Sequence, residues 1–220
     1  MAETRESLRD RLGEPGDSAR LKTIDVLDEH CREILALSPF VVVATAGADG
    51  SCDASPRGGP PGFVKVLSPT RLALGELPGN RLFDGAQNLA ENPNAALLVM
   101  IPGVAETLRI EGRAWLSTDD EIRALTALDG RLPWGALVVD VTQVFAHCGK
   151  AFKRSRLWEP SSWPAEEQRP RMGAVLAAHI AAPGPRGAAS TAPEPAVVEA
   201  GLQEAYRERL WSPVGDQPGG

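Results

Sequence analysis

The apolar positions of this chain follow two different periods. Between 20 and 37, Leu21, Ile24, Leu27, Cys31, Ile34 and Leu35 recur every three or four residues, which predicts an amphipathic helix with one face on the core. Pro39 stops it. Phe40, Val41, Val42 and Val43 then form a β-branched and aromatic run suited to a buried strand. Ala48-Asp49-Gly50 supplies a tight turn, and a polar strand returns over 52–56, with Arg57-Gly58-Gly59-Pro60-Pro61-Gly62 beyond it.

The same reading continues in both directions. Leu8 and Leu12 mark a short helix over 7–13, broken by Gly13-Glu14-Pro15-Gly16-Asp17. Strands are expected over 62–67 and 71–75, joined by Ser68-Pro69-Thr70. Leu82, Phe83, Ala86, Leu89 and Ala90 give a short helix ended by Asn92-Pro93. The continuous apolar run 95–101 reads as a central strand buried on both faces. The run 106–116 alternates, with Leu108, Ile110, Gly112, Ala114 and Leu116 inward and Thr107, Arg109, Glu111, Arg113 and Trp115 outward. Thr118-Asp119-Asp120-Glu121 is a capping box for a helix through Ile122, Leu125 and Leu128, and 136–145 is the last strong strand.

Helices are expected again over 172–180 and 197–210, around a Pro/Ala/Gly-rich segment at 182–195 that should be mobile. Six or seven short strands with helices at the periphery predict a mainly β, α+β fold. The expected form is a closed antiparallel barrel rather than a βαβ sheet. The expected organisation is a helical lead-in over 1–38, a barrel over 39–158 and a helical extension over 159–220.

Composition narrows the partners. A formal net charge of -6 leaves no basic excess for a nucleic-acid backbone, though a few arginines can still hold a small phosphorylated ligand. Cys31, Cys52 and Cys148 are scattered and odd in number, which fits neither a disulfide framework nor a zinc knuckle; a reducing cytoplasm suits them. The first thirteen residues are too charged for a signal peptide, and no apolar run reaches the length of a bilayer span.

Catalytic constellations are sparse. There are three histidines and no Gly-x-Ser-x-Gly elbow, and the neighbours His30-Cys31 and His147-Cys148 point in different directions on any regular element. What remains is a set of phosphate and amide donors at strand ends: Arg57; Asn80 and Arg81 beside the short helix, with Asn88 two turns on; Thr107 and Arg109. Each alone reads as a surface arginine or helix cap; together they suggest an anion site. Lys150, Lys153, Arg154 and Arg156 crowd just before Leu157-Trp158, a combination that reads either as a solvated face or as a seat for a planar anion.

Five stretches, SPFVVVATAGADG, DASPRGGPPGFV, PGNRLFDGAQNLAENP, IPGVAETLRIEGRAWL and HCGKAFKRSRLW, occur in this order. Together they resemble the successive blocks of the pyridoxamine 5'-phosphate oxidase-like proteins, closest to the branch of FMN-dependent enzymes without an assigned substrate. The resemblance runs from about Leu8 to Trp158. It implies an FMN-binding split β-barrel, usually a homodimer with two FMN molecules at the subunit interface. It also implies phosphate or ribityl contacts from Ser55, Arg57, Arg81 and Thr107, with Asn80 and Asn88 as supports. Lys150, Arg154, Ser155 and Trp158 would reach the flavin from the closing block. Two places depart from the family pattern: Gly59 stands where an acid is common, and Gly75-Glu76-Leu77 replaces a run that carries an arginine.

The expectation is therefore a cytoplasmic FMN-dependent oxidoreductase acting on a small molecule by hydride transfer, with no nucleic-acid or membrane partner and no catalytic residue assigned. Two alternatives stay open. The same fold could carry a deazaflavin or a haem, with His147 as the axial candidate, or the chain is a non-catalytic dimer that has lost its cofactor.

Overall fold

The computed structural model describes residues 4–77, 79, 82–208 and 210–211. They divide into two compact units, one of Met1–Glu76 with Asn80–Trp158, the other of Leu77–Gly79 with Glu159–Gly220.

In the first unit the strands are β1 Phe40–Ala46, β2 Cys52–Gly58, β3 Lys65–Ser68, β4 Arg71–Glu76, β5 Asn94–Met100, β6 Thr107–Ser117 and β7 Gly135–His147. They form one antiparallel sheet in the order β2-β1-β5-β6-β7-β4-β3, with helices around it: the α+β split barrel. The backbone ladder ends at β2 and β3, and is open there rather than closed. Pro56 on β2 costs no ladder bond at such an edge. The core lies on the face carrying Val41, Val99, Leu108, Ile110, Val139 and Val144, all essentially inaccessible to solvent.

Several elements differ from the sequence pattern, each for a local reason. The single helix expected over 20–37 is two, α2 Asp17–Leu21 and α3 Glu29–Leu37, with α1 Arg5–Leu12 before them. Ile24 exchanges backbone hydrogen bonds of 3.0 and 2.7 Å with Val144, which draws this stretch out of helical geometry. Asp28 then starts α3 afresh, its carboxylate accepting from the Cys31 amide at 2.8 Å. The β1–β2 connection is longer than a two-residue turn: Ala46 pairs with Cys52, and Asp49 accepts from both the amide and the hydroxyl of Ser51.

β2 also runs further than expected, so Arg57 lies within the strand instead of beyond it. β5 was expected to be buried on both faces; one face is core, while Ala96, Leu98 and Met100 stay half-exposed on the other. Opposite them across the β1–β5 ladder stand Ala44, Val42 and Phe40. α5 Asp120–Leu125 is capped by Asp119 rather than Thr118. It ends at the buried Thr126, whose hydroxyl donates to the Ile122 carbonyl, and Leu128 falls instead in a short bridge with Arg131. α4 Asp84–Glu91 begins after Phe83, which packs edge-on against Trp134. Thr107, assigned by alternation to the outward face of β6, is buried at 6% exposure.

In the second unit, α7 Met172–Ala181 and α8 Pro195–Glu208 pack together, and Glu199 accepts a 2.7 Å hydrogen bond from the Gly173 amide. The last helix of the first unit is α6 Lys150–Ser155. No helix among the described residues is long and apolar enough to cross a membrane.

Candidate functional site

Two polar constellations stand out in the first unit, one at each side of the sheet. The first lies where β6 begins and β7 ends, with Thr107 paired to His147. The chain leaves β7 through Cys148 and Gly149 and turns into α6, whose residues Lys150, Lys153 and Arg154 share one helix face by their spacing of three and four. An open cavity of about 520 Å³ lies against this face, lined by Glu106, Cys148, Gly149, Lys150, Lys153 and Arg154. Three cations therefore face one carboxylate. Among the described residues none of the three enters an ion pair.

Aromatic packing fixes the end of this segment. Phe152 and Trp158 stack with ring centroids 5.7 Å apart and planes inclined by 18°, and the Trp158 indole N–H donates to the Val104 carbonyl at 2.8 Å. That bond ties the segment after α6 back to the loop before β6. The Ser155 hydroxyl donates to the Phe152 carbonyl at 3.2 Å, within its own helix, which leaves its oxygen as an acceptor. His147 is exposed beside Phe145, their ring centroids 6.0 Å apart.

The second constellation is built on β2, whose Asp53, Ser55 and Arg57 lie on the half-buried face. Ser55 donates to Asp53 at 3.1 Å, and on the neighbouring β1 the buried Thr45 hydroxyl accepts from the Asn88 amide of α4 at 2.9 Å. Arg57 Nε donates to Glu76 Oε1 at 2.8 Å, and its Nη1 donates to the Pro56 carbonyl at 3.0 Å. The Glu76 side chain is only 11% exposed, so an anionic oxygen already stands on one edge of the guanidinium.

The glycine at each of the two departures is crowded by its neighbours. A Cβ on Gly59 would lie 2.8 Å from the Phe63 Cβ, which leaves no space for an acidic side chain there. A Cβ on Gly75 would lie 2.6 Å from the Thr126 carbonyl oxygen and also press on Pro133. Each glycine is demanded by a close neighbour rather than by a turn.

The structure thus gathers Thr107, Lys150, Arg154, Ser155 and Trp158 at one end of β6 and β7. It sets Ser55 and Arg57 of β2 apart, with Asn88 bonded to the neighbouring β1; β1 and β5 separate β2 from β6 in the ladder. Asn80 and Arg81 lie outside the described residues. Glu106 beside the basic cluster and Thr45 as the partner of Asn88 are not predicted by the sequence pattern. Glu76 stands out in the sequence as part of an unusual tripeptide; an unexpected acid near an expected phosphate site is the signal for its pairing with Arg57. No group of three or more His, Cys, Asp or Glu among the described residues is placed to hold a metal ion.

Residues 27–148, more than half of the chain, match the model of the pyridoxamine 5'-phosphate oxidase family, and the chain belongs to that family. No curated protein matches it. Among solved structures it is similar to HupZ of Group A Streptococcus, at 14% identity over 54% of this chain and 92% of that one, with a TM-score of 0.44. A protein from Clostridium acetobutylicum related to general stress protein 26, of the pyridoxinephosphate oxidase family, is 16% identical over 54% of this chain and 85% of its own, with a TM-score of 0.42. An FAD-binding protein from Mycobacterium smegmatis is 19% identical over 56% and 97% respectively, with a TM-score of 0.38.

Proposed function

We propose that the protein is a cytoplasmic FMN-dependent oxidoreductase, working as a homodimer on a small-molecule substrate. The observation that carries this reading is the cavity beside α6, where Lys150, Lys153 and Arg154 make no ion pair among the described residues and a stacked aromatic pair lies next to them. FMN combines a phosphate, a polyol and a planar ring, and the residues fit those three parts in kind: cations, hydroxyls and aromatic surface. Bound FMN would supply hydride acceptance and return, chemistry that no side chain in the chain can perform.

The chain's own residues would bind and orient. Lys150 and Arg154 neutralise negative charge, the Thr107 and Ser155 oxygens accept or donate to the polyol, and Trp158, fixed by Val104, offers an immobile edge for the ring. Ser55 and Arg57, with Asn88 in support, hold the phosphate, and Asn80 and Arg81, which precede α4 in the sequence, would add to that contact. Residues from both constellations contact one ligand most simply if two copies each contribute one set. The half-exposed apolar face made by Phe40, Val42, Ala44, Ala96, Leu98 and Met100 favours such pairing.

The deciding experiment is the absorption spectrum of protein purified without added cofactor, followed by titration with FMN. Flavin bands, saturable binding, and a clear loss of affinity in Lys150→Ala/Arg154→Ala with an unchanged melting temperature are expected. Absence of binding rejects the reading, and a Soret band instead of flavin bands would move it to haem. The Arg57–Glu76 pair favours a second reading, a cofactor-free dimer, because it occupies part of the expected phosphate contact. Failure of FMN to bind at any concentration is its expected outcome.

A further inference from the structure

We propose that Glu76 is a specificity-determining carboxylate that sets how strongly the Arg57 site takes a phosphate dianion. The inference rests on the reading above in one respect, that Arg57 contacts the phosphate of the flavin.

The geometry is specific. Of the five N–H groups on the Arg57 guanidinium, Nε serves Glu76 and one hydrogen of Nη1 serves the Pro56 carbonyl, which leaves three for a ligand. Those three belong to a cation whose charge is already matched at 2.8 Å. A neutral hydroxyl or ester oxygen can use them without penalty. A phosphate dianion meets the remaining donors together with the field of a nearby like charge, so much of the gain normally available from a charge-assisted contact is lost.

Glu76 cannot easily withdraw. It sits at the end of β4, paired across the ladder to Gly135, and it is buried at 8% exposure. The residue before it, Gly75, is wedged beneath Thr126 and Pro133, which fixes the backbone from which the carboxylate extends. The ion pair therefore belongs to the fold, and a ligand must bind in its presence. Arg57 lies on the edge strand and its side chain is 27% exposed, so part of it is open to a ligand without opening the sheet.

The consequence is a small phosphate increment. FMN and riboflavin differ only by the phosphate, so the ratio of their affinities isolates it. In the native chain this ratio is expected to be low. Glu76→Gln keeps the shape and a hydrogen-bonding oxygen but removes the charge. It should raise the FMN-to-riboflavin ratio about tenfold or more, the scale of one charge-assisted hydrogen bond regained.

The test is fluorescence titration of full-length protein with FMN and with riboflavin, in the native chain, in Glu76→Gln, and in Arg57→Gln/Glu76→Gln. A rise in the ratio for Glu76→Gln that disappears in the double variant supports the proposal. An unchanged ratio in Glu76→Gln, together with a lower one in the double variant, overturns it while leaving Arg57 as a phosphate contact. The same ratio in all three proteins, or no binding of either flavin, removes Arg57 from the phosphate site and the proposal with it. If Glu76→Gln does not fold, Glu76→Asp draws the carboxylate back by one methylene. A smaller rise in the ratio is then expected, and no rise overturns the proposal.

Discussion

Arg57 on β2 and Glu76 on β4 meet at 2.8 Å although their strands lie towards opposite ends of the ladder, separated by β1, β5, β6 and β7. Their side chains make a connection that the backbone ladder does not. Removal of Arg57 alone leaves a nearly buried carboxylate without its cation. Arg57→Ala should therefore destabilise the protein by about 1–3 kcal/mol, less than a fully buried pair because the arginine is 27% exposed. Arg57→Ala/Glu76→Gln should recover much of that loss. Urea unfolding of the three proteins measures both effects.

The three thiols should separate by reactivity. Cys52 and Cys148 are exposed, whereas Cys31 is buried and burial pushes its thiol up to about 11, with the neighbouring Asp28 adding to the rise. At mildly alkaline pH a disulfide reagent should modify two thiols in the native protein and the third only on unfolding. An anionic reagent should find Cys148 faster than Cys52, because Lys150, Lys153 and Arg154 surround its cavity, and added salt should narrow the difference. Mass spectrometry of timed samples would show the order.

Asp140 gives stability a dependence on acid. Arg71 donates to it from Nε at 2.6 Å and from Nη2 at 3.0 Å, holding its carboxyl below the ordinary carboxylate range, chiefly through hydrogen bonding. A depressed folded value means that this contribution is complete above the ordinary range and is lost as pH falls towards the folded value. Asp140→Asn should lower the melting temperature at neutral pH and flatten its fall on acidification. Parallel slopes for the two proteins in thermal scans at several pH values would contradict the assignment.

Gly59→Ala and Gly75→Ala test the two crowded glycines. Each new Cβ must displace a neighbour. At Gly75 that neighbour is backbone, the Thr126 carbonyl, and at Gly59 it is the Cβ of Phe63. A cost of about 1–3 kcal/mol is expected at either position, as for other overpacked sites. Midpoints equal to that of the native chain in chemical denaturation would show that these neighbours move aside freely.

Much of the sheet was legible because alternation and turn residues are local signals. Phe40 to Val43, the alternation of Leu108, Ile110 and Ala114, and the Pro93 boundary each predict their own strand without knowledge of its partner. The errors arose where a distant residue decides. Ile24 leaves the helix because Val144 pairs with it, and Thr107 is buried despite its place in the alternation. The half-exposed face of Leu98 and Met100 is illegible for a related reason: a continuous apolar run does not say whether its second face meets the same chain or another. At the candidate site, the basic cluster of α6 was visible as a charge run. The Glu76 partner of Arg57 was not, because their approach depends on how the two ends of the sheet curve towards each other.

β7 pairs with β6 along one side and with β4 along the other, and among the described residues no other strand joins the two parts of the sheet. The β3–β4 hairpin is synthesised early, yet its long-range strand partner in the finished sheet, β7, is the last strand made. During synthesis it must therefore wait as an unmatched edge until residues 135–147 have left the ribosome, exposed meanwhile to wrong pairings and to chaperones. A nascent chain halted before β7 should be protease-sensitive at β3 and β4 while β1, β2, β5 and β6 have already found their neighbours.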